Sequence, residues 1–259
     1  MSRIHATAIV SPDAKIDPSV EIGPFCTVGP HVIIGKGTKL LSHVVVDGWT
    51  TIGDDNVFFP FSVVGAVPQD LKYKGEKTEM IIGHRNTIRE SVTLNLGTVQ
   101  GGGVTQMGDD NLLMAYSHLG HDTIIGNHCI LANSAALAGH VTFEDYVTLG
   151  GQSGVAQFVR VGSHTYLGGQ SAVEKDIPPF CIAMGGRPIL IRGANIVGLR
   201  RRGFSAEVIT KINEAIKLWT RHEVQKEQCL LEIESQYADT KEIADFIKFI
   251  RASEHGVAR

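Results

Sequence analysis

The stretch Ile16-Asp17-Pro18-Ser19-Val20-Glu21-Ile22-Gly23-Pro24-Phe25-Cys26-Thr27-Val28-Gly29-Pro30-His31-Val32-Ile33-Ile34-Gly35 places an aliphatic residue at every sixth position: Ile16, Ile22, Val28 and Ile34. Glycine follows the beat by one at Gly23, Gly29 and Gly35, and a small or β-branched residue follows by four at Cys26, Val32 and Thr38. No helix has that period. The beat runs back to Val10 and Ile4 and forward through Leu40, Val46, Ile52, Phe58 and Val64. Each unit supplies a short strand and a turn, and one such strand cannot bury its apolar side alone. Successive turns must stack. The fold class expected is a β-solenoid, a parallel β-helix of hexapeptide repeats around a continuous apolar column. Three six-residue sides close a coil of 18 residues with a triangular cross-section, so residues 18 apart stack at about 4.8 Å.

Two interruptions mark the repeat. After Val64 the next strong beats are Ile82, Ile88 and Leu94, with Asp70 and Glu76 at the skipped positions. Residues 66–80 therefore read as a loop thrown out from one side of the prism. It is either a solvated insertion or, since loops on rigid scaffolds commonly carry function, a binding element using Gln69, Asp70, Lys72 and Lys74. A second excursion separates Leu94 from Met107 and is centred on Gly101-Gly102-Gly103. With no helix start behind it, this triplet reads as a flexible turn, not a phosphate cradle. The beat then continues from Met107 to Val173, and Asp176-Ile177-Pro178-Pro179 is expected to end it, because proline cannot donate to a ladder.

Residues 180–203 read as a connector rich in glycine and arginine, and beyond it the period becomes helical. Ser205 is placed to cap a helix containing Val208, Ile209, Ile212, Ala215, Ile216 and Trp219, with Phe204 and Ile209 as a hydrophobic staple. A second helix is expected over roughly 224–236, and a third from the capping box Asp239-x-x-Glu242, carrying Ile243, Phe246, Ile247 and Ile250. The division expected is 1–185 for the repeat and 186–259 for the connector and a helical domain.

Composition narrows the function classes. The chain has 259 residues, 43% of them hydrophobic, enough for a sizeable core. A net charge of −3 does not suggest a nucleic-acid binder. The 29 glycines and 20% charged residues suit a turn-rich, repetitive β architecture. Cys26, Cys129, Cys181 and Cys229 are far apart and form no Cys-x-x-Cys pair, which argues against a zinc knuckle or disulfide framework and for a reducing cytoplasm. Met1-Ser2-Arg3-Ile4-His5 has no long apolar run behind it, and nothing later approaches a membrane span.

Chemistry-bearing residues gather where the stacking rule is applied to Ser117-His118-Leu119-Gly120-His121-Asp122. Adding 18 to His121 gives Gly139 and then Gln157, and adding 18 to Asp122 gives His140. A neutral imidazole here suits general-base catalysis, with Asp122 as its orienting partner. A glycine on the next coil lets a backbone amide approach a developing oxyanion. The plainer reading is a structural polar ladder with a turn glycine. Arg200-Arg201-Arg202, the only run of three like charges, reads equally as a solvated face and as a phosphate contact.

Several segments occur in one order: the repeats, Gln69-Asp70-Leu71-Lys72-Tyr73, Ile88-Arg89-Glu90-Ser91-Val92-Thr93, Gly120-His121-Asp122, Leu137-Ala138-Gly139-His140 and Arg201-Arg202-Gly203-Phe204. Together they resemble the UDP-N-acetylglucosamine acyltransferase family, whose members open lipid A biosynthesis, and the likeness covers essentially the whole chain. The resemblance implies a left-handed β-helix and a homotrimer with active sites between adjacent prisms. It implies transfer of an (R)-3-hydroxyacyl group from acyl carrier protein to the glucosamine 3-position of UDP-N-acetylglucosamine. No metal or separate cofactor is implied, since the phosphopantetheine thioester is the donor. Carried over by position, His121 matches the general base, the Gly139 amide the oxyanion donor, and Asp122 and His140 supporting or substrate-contacting positions. Gln69, Asp70 and Lys72 match the loop that holds sugar and phosphopantetheine; His118, Gln157, Asn195, Arg201 and Arg202 match nucleotide or donor contacts. The basic residues have a docking role towards the acidic carrier protein. Gly169 matches an acyl-length ruler and implies a long chain, on the order of fourteen carbons, each buried methylene contributing about 0.8 kcal/mol.

The chain departs from the family pattern at Leu94-Asn95-Leu96-Gly97-Thr98, where many relatives read Ile-His-Arg-Gly-Thr. Ala156 replaces a frequent histidine and Val197 an acidic residue. Asn95 and Leu96 raise the expectation of an acceptor carrying a 3-amino group in place of the 3-hydroxyl. Other functions share the prism. An acetyl-CoA-dependent hexapeptide acyltransferase fits less of the chain. The pathway's related N-acyltransferase is expected to carry a uridine-binding domain ahead of its repeats, whereas repeats here begin at Ile4. A γ-carbonic-anhydrase-like enzyme would use His118, His121 and His140 around zinc, and a non-enzymatic solenoid scaffold would tolerate loss of His121.

Overall fold

A computed structural model describes residues 3–237 and 239–259; Met1 and Ser2 of the N-terminal stretch read for targeting lie outside them. Three sheets of nine, eight and ten strands form the walls of a prism, parallel throughout except for the terminal strand of the third. Most strands are only two residues long, and the second residue is buried while the first faces out, as in Glu21–Ile22, Lys39–Leu40, Ala136–Leu137 and Tyr166–Leu167. This is the two-residue alternation of extended backbone, and it explains why the beat residue alone must be apolar. Neighbouring coils align Ile16 with Ile34, Leu119 with Leu137 and Val155 with Val173, 18 residues apart. Ile22, Leu40, Phe58 and Leu131 are among the side chains that fill the interior.

The 18-residue rule fails across the two excursions and again at the last coil, where Leu167 aligns with Ala183 and Val161 with Ile177, 16 residues apart. Ile52 aligns with Ile82, Phe58 with Ile88 and Val64 with Leu94, 30 residues apart, because a loop of residues 67–78 stands out from the coil. The loop is shorter than 66–80: Ala66 ends strand Val63–Ala66, and Glu79 and Met80 open strand Glu79–Ile82. Across the second excursion Ile82 aligns with Met107 and Leu94 with Leu119, 25 residues apart.

Corners are turned by residues with left-handed φ, including Phe25, His43 and Phe61 on one edge, His128, Tyr146 and His164 on another, and Asp122, His140 and Phe158 on the third. An L-residue loses roughly 1 kcal/mol there, and ring stacking offsets it: His128 on Tyr146 at 4.6 Å, Tyr146 on His164 at 4.8 Å, His140 on Phe158 at 4.4 Å. Inside one corner, buried Asn56, Asn86 and Asn111 pass side-chain hydrogen bonds from coil to coil and satisfy the carbonyls of Gly53, Gly108 and Gly126.

The prolines do not end the ladder. Cys181–Met184 still pairs in parallel with Tyr166–Leu167, and Leu190–Ala194 then closes the stack in antiparallel sense. Pro179 falls in a turn, where no ladder N–H is needed, and the Pro178 carbonyl accepts from Thr165 Oγ1 at 3.0 Å. The connector is therefore partly strand and partly helix. Helix α1 spans Ile196–Arg201, so Arg200 and Arg201 lie in its last turn, where cations suit the helix dipole, and not ahead of the first helix. Helix α2, Ala206–Trp219, is capped by Ser205, whose Oγ accepts from Val208 N at 3.2 Å. Phe204 meets His164 edge-on at 5.0 Å. Helix α3 spans Lys226–Tyr237, and α4, Lys241–Arg251, begins after Thr240, not Asp239. The expected capping box does not form, because Asp239 accepts from the Thr240 hydroxyl instead.

Candidate active site

Strand His118–Leu119 puts Leu119 in the core and His118 outside; Gly120 then leads to His121 and to Asp122, which takes the left-handed corner. A short polar side chain tolerates that conformation better than most. The Asp122 carboxylate is buried beneath the second excursion. Thr98 N donates to its Oδ1 at 2.7 Å, and Thr98 Oγ1 donates to its Oδ2 at 2.6 Å. His121 Nδ1 lies 2.7 Å from the same Oδ2. These donors offset the burial of the charge. A carboxylate accepts, so Nδ1 is the donor of this pair and Nε2 is the ring nitrogen left outside it.

Gly139 is a glycine because the imidazole lies against it: a Cβ there would stand 2.5 Å from His121 Cε1 and 2.7 Å from Nε2. The residue is buried, and among the described residues no acceptor meets its N–H. His140 stacks on Phe158, meets His121 edge-on at 5.0 Å, and brings Nε2 to 3.7 Å from Asp122 Oδ2. Burial pushes its basicity below the ordinary histidine value, with His121 adding to the effect and Asp122 opposing it. His118, whose Nδ1 lies 2.7 Å from Thr93 Oγ1, is likewise pushed down by burial and then by His121.

A cavity of about 470 Å³ opens beside these groups. Gln69, Asn95, His118, His121, Gly139 and Gln157 line one end. From there Ala136, Gly154 and Ala172 form a smooth strip directly below His118, one residue per coil, reaching Glu174 and Arg187. A Cβ on Gly154 would meet nothing within 4 Å, so a side chain there would enter the groove. The charges of Asp70 and Lys72 are felt at His140, which sets the loop over this corner.

Asn95 and Leu96 part company. Asn95 lines the cavity and is 3% exposed; its Nδ2 donates to Val67 O at 3.1 Å, and its Oδ1 is buried without a partner. Leu96 belongs to the core, where its methyls lie against Gly48. Gly169 sits at an exposed corner ahead of strand Ala172–Val173 and does not line the cavity of a single chain.

Asn195, Arg201 and Arg202 lie elsewhere, in a cavity of about 450 Å³ on a different wall, with Ile130, Thr148 and Tyr166. Asn195 caps α1, accepting from Gly198 N at 3.1 Å and donating to His164 O at 2.8 Å. Arg202 lies over the Tyr146 ring, and its Nη1 is buried without a partner. One chain does not bring these groups to His121. The metal-like cluster is His121, Asp122 and His140, their ligand atoms within 4.8 Å of one another, with His118 outside it. Its closest pair, Nδ1 and Oδ2, is already committed to a hydrogen bond.

Sequence reasoning missed Thr98, which grips Asp122, and Gly101, where a Cβ would fall 2.0 Å from the Asp122 carboxyl carbon. It also missed the Ala136–Gly154–Ala172 strip, although applying the 18-residue rule to His118 would have found it.

A family model described as UDP N-acetylglucosamine O-acyltransferase, domain 2, matches residues 176–258, and one for bacterial transferase hexapeptide repeats matches residues 105–139. LpxA from Acinetobacter baumannii is 45% identical, with 99% of each chain covered and a TM-score of 0.95. The UDP-N-acetylglucosamine acyltransferase of Bacteroides fragilis is 40% identical over 99% of this chain and 100% of its own, with a TM-score of 0.95. The O-acyltransferase of Moraxella catarrhalis is 38% identical over 99% and 100%, with a TM-score of 0.94. The coil is left-handed. Likeness at this level along the whole length, helical domain included, means that the chain belongs to the UDP-N-acetylglucosamine O-acyltransferase family and is an acyltransferase.

Proposed function

We propose that the protein transfers an (R)-3-hydroxyacyl chain from acyl carrier protein to the glucosamine 3-position of UDP-N-acetylglucosamine, the opening step of lipid A synthesis, in the cytoplasm. The observation that carries this is the pairing of His121, its Nδ1 tied to Asp122, with the unpartnered Gly139 N–H at one end of an apolar groove. His121 Nε2 takes the proton of the 3-hydroxyl as its oxygen attacks the thioester carbonyl. The carbonyl oxygen becomes an oxyanion beside the Gly139 N–H. The C–S bond then breaks, and the phosphopantetheine thiolate leaves with the proton from His121. General-base help of this kind is worth about 10²–10⁴-fold, and one oxyanion donor about 10²–10³-fold.

Asp122 orients the base, and His118, His140, Gln157, Gln69, Asp70 and Lys72 contact sugar or phosphopantetheine. The acyl chain lies along Ala136, Gly154 and Ala172, a run of three coil steps below His118 and so about 14 Å long. Asn195, Arg201 and Arg202 reach the nucleotide from a neighbouring subunit of a homotrimer. The partnerless Arg202 Nη1 is a donor suited to a diphosphate. The reaction needs no metal or further cofactor.

Asn95 favours a second reading for the acceptor. Its amide orientation is fixed by the Val67 carbonyl, so the buried Oδ1 calls for a donor from the ligand; a 3-hydroxyl has one proton, committed to His121 in the step above, whereas a 3-amino group has a second N–H to give. Mass spectrometry of products formed from carrier proteins of several acyl lengths, with UDP-N-acetylglucosamine and its 3-amino analogue, tests both readings. Transfer to neither nucleotide overturns the first, and clear preference for the 3-hydroxyl sugar overturns the second.

A further inference from the structure

The excursion between strands Thr93–Asn95 and Val104–Met107 lengthens one coil step from 18 to 25 residues, and its inner side is built around a single carboxylate. Thr98 is 1% exposed and gives both of its donors to Asp122, N–H to Oδ1 and hydroxyl to Oδ2. The Thr98 hydroxyl also accepts from Gly101 N at 3.2 Å, which leaves its proton directed at Asp122. Gly101, in the turn that Thr98 caps, makes room for the carboxylate. Thr105 Oγ1, in the preceding coil, fixes the backbone of the same residue, accepting from Asp122 N at 2.7 Å.

We infer that Thr98 is a positioning residue, clamping the Asp122 carboxylate so that Oδ2 holds the Nδ1 proton of His121 and aims Nε2 into the groove. This rests on the proposed role of His121 as base. The glycine-rich excursion is then a catalytic support and not a slack turn. Two donors on two oxygens fix the plane of the carboxylate, and the shared Oδ2 is the atom that meets His121.

The test is steady-state kinetics of Thr98→Val, Thr98→Ser and Asp122→Ala, and of Thr98→Val combined with Asp122→Ala, with thermal melts of each. Thr98→Ala is made alongside in case the valine variant does not fold. Thr98→Val is expected to lower kcat on the order of tenfold with KM for both substrates unchanged, the loss of one hydrogen bond to a charged group. Thr98→Ser keeps most of kcat. In the Asp122→Ala background, Thr98→Val adds nothing, because residues acting through one another are not additive. Multiplicative losses, a rise in KM instead of a fall in kcat, or no effect of Thr98→Val where Asp122→Ala is slow would overturn the inference alone. A fully active Asp122→Ala would overturn the reading of the base as well.

Discussion

His121 is constrained on three sides: Asp122 fixes its proton, His140 meets it edge-on, and Gly139 supplies the surface on which it lies. Replacing Gly139 by alanine inserts a methyl where the ring already is, so the imidazole must move off the amide. Gly139→Ala is expected to reduce kcat on the order of a hundredfold, the scale of one lost oxyanion donor, while thermal melts show folded protein. Wild-type kcat would argue against the pairing. That pairing was legible in the sequence, because His121 and Gly139 lie in uninterrupted coils where residues 18 apart stack. The Thr98 clamp was not, because it crosses the excursion, where the offset grows to 25 and the arithmetic points to the wrong neighbour.

The walls and corners of the prism have separate jobs. On the wall bearing His118, outward positions shrink to Ala136, Gly154 and Ala172, and that strip is open because Gly154 has no side chain. Gly154→Leu is therefore expected to shift acyl preference to shorter chains, read as relative kcat/KM across a series of acyl carrier proteins; an unchanged series would place the chain elsewhere. At the corner packed against the start of the helical part, His164 stacks on Tyr146 and Phe180, and burial, with Arg202 adding to it, pushes its pKa down from 6.5 to about 4. The unfolded chain binds this proton more readily than the folded one, so stability is full above pH 6.5 and falls as pH drops towards 4. Thermal melts of His164→Phe, which keeps the ring stack, should lose less stability over that window than the wild type. The repeat revealed the walls but not these corners, since left-handed φ at ring-bearing residues has no signature in a six-residue beat.

At the scale of the molecule, the two groups of predicted contacts lie on different walls of one prism, so the proposed site, which uses both, needs a second copy. Coexpressing His121→Ala with Arg201→Ala is expected to restore activity in mixed trimers, where one interface pairs the intact His121 with the intact Arg201. Mixtures as inactive as either parent would contradict a shared site. This arrangement could not be read from a single chain's repeats, nor could the strand pairing beyond Pro178-Pro179, where composition signals a stop and the ladder needs no N–H. The most direct measurement is acyl transfer itself: wild-type and His121→Asn proteins, each given (R)-3-hydroxyacyl carrier protein and UDP-N-acetylglucosamine, with the product identified by mass and the thiol release timed. The expected result is nucleotide-dependent transfer by the wild type and a loss of kcat of about a hundredfold or more in His121→Asn with an unchanged melting curve. Transfer at the wild-type rate by His121→Asn would contradict it.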